Sequence, residues 1–187
     1  MRLFIAAEPP QEVRRKAAEI GKKLVSTGAD IKPVSEENIH VTLKFLGEVE
    51  SAQVAGTCGS IKSSLMGFHG FRACASGIGH FGSGKRIGTI VSLFTEGKEE
   101  FAKIMEALES SLSGIRSEAR EANPHLTIAR VKSARSLDIL RRAIVEMKDV
   151  KVGEFYVKEI VLMQSTLSPS GPSYATVSAF PLAKQGL

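Results

Sequence analysis

Long apolar runs are missing from this 187-residue chain. A helical membrane span needs roughly 20 consecutive apolar residues, and no stretch approaches that. The opening offers only residues 3–7 before Glu8 and the pair Pro9-Pro10, too short for the apolar core of a secretion signal. Cysteine is scarce: Cys58 and Cys74 form no C-x-x-C pattern, so neither a zinc site nor a disulfide framework is suggested. Two thiols without a framework suit a reducing compartment, and the expected location is cytoplasmic, with no membrane partner. A massed basic tail is lacking too. Twenty-five Lys and Arg against 20 Asp and Glu leave +5, spread along the chain, a mild bias towards a polyanionic partner. What remains is an ordinary globular composition, 43% hydrophobic and 24% charged, of a length that fits one domain and is expected to be a monomer.

The chain repeats itself. His40-Val41-Thr42-Leu43 and His125-Leu126-Thr127-Ile128 are both H-x-T-x with apolar residues at each x, and 125 − 40 = 85. The flanks share that offset. Residues 2–7 read as a buried strand and 10–25 as an amphipathic helix carrying Val13, Ala17, Ile20 and Leu24. Residues 87–94 and 98–112 repeat this, the helix now carrying Phe101, Ile104, Met105 and Leu108. Ser51 and Ser136 stand as N-caps before helices over 52–65 and 137–148, and strands over 71–78 and 156–163 close each half. The expected organisation is a single domain, 1–187, of two pseudo-symmetric halves, about 1–80 and 86–165, with a final strand over 173–181.

On a strand, residues i and i+2 share a face, so each motif presents an imidazole beside a hydroxyl, and a two-fold relation would bring four polar side chains to one cleft. His40 and His125 suit a reaction in which one group takes a proton and another gives one, because an imidazole pKa near 6.5 makes both states accessible. Thr42 and Thr127 can donate hydrogen bonds to the non-bridging oxygens of a tetrahedral anion. Neither motif is H-x-H or H-E-x-x-H, so no metal is expected.

These motifs resemble the two-histidine (2H) phosphoesterase superfamily, specifically the LigT-like 2'-5' RNA ligases and RNA 2',3'-cyclic phosphodiesterases. The resemblance covers Arg2-Leu3-Phe4-Ile5-Ala6, the run from His40 to Gly47, Pro124-His125-Leu126-Thr127-Ile128-Ala129-Arg130, and Ser168-Pro169-Ser170-Gly171-Pro172. It implies an α+β, bilobal, duplicated fold with antiparallel sheets lining a central groove and helices outside. It also implies opening of a terminal 2',3'-cyclic phosphate to a 2'-phosphate, with reversible 2'-5' ligation, and no ATP or other cofactor. The implied partner is RNA with a cyclic phosphate end, tRNA fragments included. His125 as base and His40 as acid is the working assignment, which the sequence does not order.

The repeat breaks where an asymmetric substrate needs orienting. Phe45 plus 85 is Arg130, an aromatic ring suited to a base against a guanidinium suited to a phosphate. Counted along an unbroken strand, both fall on the face opposite their histidine, so each needs a twist or bulge to reach the site. Tyr174 follows the Ser168-to-Pro172 turn, which the resemblance places at the groove. Gly77-Ile78-Gly79-His80-Phe81-Gly82 matches G-x-G-x-x-G, and G-x-x-x-x-G-K follows from Gly79, but a strand comes next where a nucleotide loop needs a helix. That segment reads as a connection between halves, with Lys85 and Arg86 near RNA phosphates. Two competing readings are a phosphodiesterase for a small cyclic phosphate, such as ADP-ribose 1'',2''-cyclic phosphate, and a non-catalytic RNA-binding module.

Overall fold

Two hydrophobic periods alternate along the chain, and each element follows the local one. A computed structural model describes residues 1–83, 86–116, 122–169 and 171–184. Val13, Ala17, Ile20, Gly21 and Leu24 form the buried stripe of α1, Gln11–Val25, and Phe101, Ile104, Leu108 and Leu112 that of α3, Lys98–Leu112. The other helices are α2, Val54–Ser64, and α4, Leu137–Glu146. The strands are β1 Arg2–Ala7, β2 Ile31–Pro33, β3 Val41–Glu48, β4 Phe71–Phe81, β5 Thr89–Glu96, β6 Leu126–Val131, β7 Lys151–Val157, β8 Glu159–Ser168 and β9 Gly171–Pro181.

Two expectations are corrected and one unexpected strand appears. The strand over 156–163 breaks at Lys158 into β7 and β8, which occupy different places in the sheet. Strand β2 carries no periodic signature at three residues, and tertiary pairing with β6 creates it. Neither serine caps through its side chain: Ser51 begins a 3-10 turn, and Ser136 precedes α4 with φ 53°, whereas a capping hydroxyl reaches its amide from extended backbone.

The nine strands of the described residues join one antiparallel sheet, in the order β7-β4-β5-β6-β3-β1-β8-β9, with β2 added to β6. The motif strands β3 and β6 meet at its middle through the pair Val41 and Leu126. Outward from that seam, β3 is followed by β1 and then β8, and β6 by β5 and then β4. Each half of the repeat therefore gives its third strand to the other. The helices cover one face, where α1 lies on β6 and β7, α3 on β3 and β5, and α4 on β4 around the main apolar core. The opposite face carries a small cluster of Phe4, Ala6, Val161 and Met163, with Tyr174 packed against it.

Both seam strands bulge at the same place. Ala6 pairs with Thr42 but Ile5 with Lys44, which leaves Leu43 extra; Val91 pairs with Thr127 but Ile90 with Ala129, which leaves Ile128 extra. Since 43 + 85 = 128, the irregularity belongs to the repeat. Each bulge reverses the alternation of side chains beyond it. Lys44 and Ala129 turn inward and are buried, while Phe45 and Arg130 turn outward. The Lys44 ammonium is satisfied inside by the Glu109 carboxylate at 2.5 Å and the Arg116 carbonyl at 2.7 Å.

Glycines separate local strain from free space. At Gly97, between β5 and α3, φ is 80°, and an added Cβ would lie 2.7 Å from the Arg72 carbonyl oxygen. Left-handed strain and overpacking together should make Gly97→Ala less stable by about 2–4 kcal/mol. Gly59 sits within α2 with nothing inside 4 Å of such a Cβ, so Gly59→Ala should gain about 0.5–1 kcal/mol. Urea denaturation of both variants checks the opposite signs.

Candidate active site

The catalytic histidine candidates stand one residue before their strands, and both rings are locked in the same way. His40 Nδ1 donates to the Asn38 carbonyl at 2.9 Å, and His125 Nδ1 donates to the Asn123 carbonyl at 2.7 Å. A carbonyl oxygen can only accept, so Nδ1 holds the proton and Nε2 carries the lone pair of the neutral ring. Nε2 is therefore the candidate atom for proton exchange on both sides. In His40 it lies 2.9 Å from Thr42 Oγ1, whose hydroxyl donates to it. Asparagine recurs at the 85-residue offset, 38 + 85 = 123, so the repeated unit is N-x-H-x-T. Reading from the histidines forward missed this, although the offset alone would have exposed it.

Pairing at the seam brings the two motifs together. Antiparallel counting from Val41 and Leu126 sets Thr42 against His125 and His40 against Thr127. Side chains directly opposed on adjacent strands have Cβ atoms about 5 Å apart. Val41 and Leu126 are fully buried on the other face, while the four polar side chains are half-buried. The charges agree with this proximity: His125 and Arg130 both act electrostatically on His40, and Arg130 also acts on His125 and Tyr174.

Aromatic rings enclose the imidazoles unequally. His40 lies 4.9 Å from the Phe4 ring and 5.2 Å from Tyr174, centroid to centroid, the latter edge-on. The repeat places Thr89 where Phe4 stands, and His125 is instead met edge-on at 4.8 Å by Phe81, one strand further out on β4. Phe81 was absent from the sequence-based candidates because its hexapeptide looked like part of a glycine-rich connection. Phe45 is 45% exposed and lies 6.2 Å from Phe4, at the edge of this cluster.

Electrostatics follow from that enclosure. Removal from water, reinforced by the positive charges of His125 and Arg130, pushes His40 down to about 4, against the raising effect of its bond to Asn38. Burial and Arg130 likewise lower His125 below the usual imidazole value. Tyr174 is raised by burial, with Arg130 and Arg2 opposing. Both imidazoles are thus held neutral at pH 7.

The remaining candidates divide. Asn38 Nδ2 donates to the Pro172 carbonyl at 2.9 Å and so ties the β8–β9 turn to the first motif. Arg86 lines a separate cavity of about 480 Å³ with Ile87, Val131, Lys132, Ser133, Ala134 and Leu137, a lining that includes neither histidine. Lys85 lies outside the described residues. Among the described residues no group of three or more His, Cys, Asp or Glu side chains could hold a metal ion, and no helix is long and apolar enough to cross a membrane.

Known proteins share this fold. The family model described as LigT like Phosphoesterase matches residues 7–91 and 93–174. A protein of Methanothermobacter thermautotrophicus named RNA 2',3'-cyclic phosphodiesterase is 34% identical over 184 residues, 97% of this chain and 99% of its own. One of the same name from Aeropyrum pernix is 36% identical over 91% of this chain and 97% of its own. Among solved structures, TT0787 of Thermus thermophilus superposes with a TM-score of 0.80 at 26% identity, covering both chains completely. E. coli LigT complexed with 3'-AMP gives a TM-score of 0.80 at 20% identity over 98% of each chain.

The neutral, buried His40 has a consequence for stability. Its value falls from 6.5 to about 4 on folding, so between those pH values the folded chain binds fewer protons than the unfolded one. Stability from this group is present above pH 6.5 and is lost as the pH drops towards 4. Urea denaturation at pH 7 and pH 4.5 should show wild type losing about 2–3 kcal/mol more than His40→Gln. An equal loss in both proteins would contradict the enclosure of this ring.

Proposed function

This chain belongs to the LigT-like phosphoesterases of the two-histidine superfamily, and from that premise we propose that it is an RNA 2',3'-cyclic phosphodiesterase. The observation that carries the mechanism is the pair of imidazoles with Nδ1 engaged by a backbone carbonyl, which leaves only Nε2 to exchange protons. One Nε2 takes a proton from water as the water oxygen attacks phosphorus; the other gives its proton to O3' as the P–O3' bond breaks. The product carries a 2'-phosphate and a free 3'-hydroxyl. With a 5'-hydroxyl as the nucleophile on the cyclic phosphate, the same site joins RNA ends by a 2'-5' bond, and neither direction consumes ATP.

Thr42, Thr127 and Arg130 hold the non-bridging oxygens. Thr42 Oγ1 shares a hydrogen bond with His40 Nε2, and the substrate competes for it. The base is ready without loss of a proton, because both rings are neutral at pH 7. The acid acquires its proton as the phosphate anion arrives, since that negative charge offsets Arg130 and favours an imidazolium. Repeat-related positions make either order of acid and base geometrically equivalent, and reversal exchanges the roles. Tyr174 and Phe45 offer ring surface to the terminal base, with the buried Phe4 ring packed behind them. Free Cys58 and Cys74 suit action in the cytoplasm on RNA ends such as those of tRNA fragments.

His40→Ala and His125→Ala should each lower kcat/KM for adenosine 2',3'-cyclic phosphate by about 10³-fold or more, while EDTA leaves the wild-type rate unchanged. Wild-type rates in both variants would remove the acid/base assignment. Arg130→Ala should cost about 10–100-fold, with partial recovery in Arg130→Lys, as expected for loss of a charge-assisted bond.

A further inference from the structure

Strand β2, invisible to hydrophobic periodicity, places a second cation beside Arg130. Lys32 pairs directly with Arg130 across the antiparallel β2–β6 ladder, and the flanking pairs Ile31 with Val131 and Pro33 with Ala129 hold its backbone on both sides. Arg130 in turn pairs with Thr89, and Thr89 with Phe81, so one row of the sheet reads Phe81, Thr89, Arg130, Lys32 on one face. Phe81 meets His125 in that row, which fixes the row's face as that of the histidines.

Like charges set directly opposite one another destabilise a strand pair, with Cβ atoms only about 5 Å apart. Both side chains are exposed, and no ion pair within 4 Å involves either among the described residues. The carboxylate of Glu37, on the adjoining 3-10 turn, is held below its usual range chiefly by a hydrogen bond from Ser35, and it forms no ion pair with Lys32 or Arg130 among the described residues. Two adjacent cations without a carboxylate between them are a site for anions. Lys32 Nζ lies 3.8 Å from where a Cβ on Gly171 would stand, so the ammonium bridges the space between β6 and the β8–β9 turn. Asn38 holds that same turn through Pro172.

We infer that Lys32 determines specificity for RNA over mononucleotides by binding the backbone phosphodiester on the 5' side of the reacting cyclic phosphate, which Arg130 binds. A cyclic mononucleotide has one phosphate and satisfies Arg130 alone. A cyclic-ended oligonucleotide has a second phosphate one nucleotide away, and Lys32 is the cation beside it. The inference rests on the assignment of a cyclic-phosphate-opening activity to the two histidines.

The test compares adenosine 2',3'-cyclic phosphate with a short oligonucleotide ending in a 2',3'-cyclic phosphate, on the full-length protein and its Lys32→Gln and Lys32→Arg variants. For the oligonucleotide, Lys32→Gln should raise KM about 5–20-fold at low salt with kcat nearly constant. The slope of log KM against log salt should fall by about one, as for loss of a phosphate contact. For the mononucleotide, kcat/KM should change less than about twofold, and Lys32→Arg should restore oligonucleotide binding. Equal losses on both substrates would place Lys32 on the reacting phosphate and overturn the inference, as would no loss on either. A wild-type protein that opens neither substrate would overturn the phosphodiesterase reading and this inference with it; one that opens both while Lys32→Gln treats them alike overturns this inference only.

Discussion

The seam between β3 and β6 is the constraint on which the rest depends. One antiparallel pair, Val41 with Leu126, joins the two series of strands, and its register decides which side chains of the repeat can meet. A slip of one residue would send every motif side chain to the opposite face, burying imidazoles and exposing apolar groups. The fully buried pair on the helix side opposes that slip, because each of these residues would forfeit its burial. Exchange of third strands strengthens the same junction. Since β8 lies on β1 and β4 on β5, neither half can leave the other without breaking strand pairing far from the seam.

The paired bulges convert that symmetric junction into an asymmetric site. Without Leu43 and Ile128 as extra residues, Phe45 and Arg130 would face the core, where an unpaired guanidinium would carry a heavy desolvation cost. With them, Arg130 stands on the face of the histidines and acts electrostatically on both, and the core receives Ala129 in its place. On the β3 side the inward position is Lys44, and its ammonium finds Glu109 on α3. The bulge at Ile128 is also held from outside: its carbonyl accepts the Val34 N–H at 2.9 Å, and Gly21 of α1 comes within 3.0 Å of it, measured from an added Cβ. Helix, short strand and bulge thus support one another at the point that aims Arg130.

Enclosure serves chemistry and costs stability in acid. Phe4, Tyr174 and Phe81 remove water from the imidazoles, which lowers their affinity for protons and strengthens electrostatic interactions with a bound phosphate. Asn38 and Asn123 counter this in part, because their carbonyls favour the protonated ring while fixing its tautomer. The balance leaves both rings neutral at pH 7. Aromatic support is reached differently on the two sides, from β1 for His40 and from β4 for His125, which breaks the two-fold without moving the histidines.

Local pattern carried a large part of this molecule. The 85-residue offset, the apolar stripes of α1 and α3, and the alternation around each H-x-T were sufficient to expect an α+β duplication with four polar side chains at one cleft. Those features depend on residues close in sequence or on the repeat itself, and the extent of α3 was read without error. Asn38 and Asn123 were legible at the same offset and were passed over. Strand β2, the break at Lys158, the bulges and the positions of Phe81 and Lys32 were decided only by the tertiary structure. Each is set by hydrogen bonding to a distant strand or by packing across the sheet, which no local period encodes. The chain thus specified by itself which groups are candidates for the chemistry, while the folded sheet decided which faces they share and which cations and rings stand beside them, because registry between distant strands is a property of the pair.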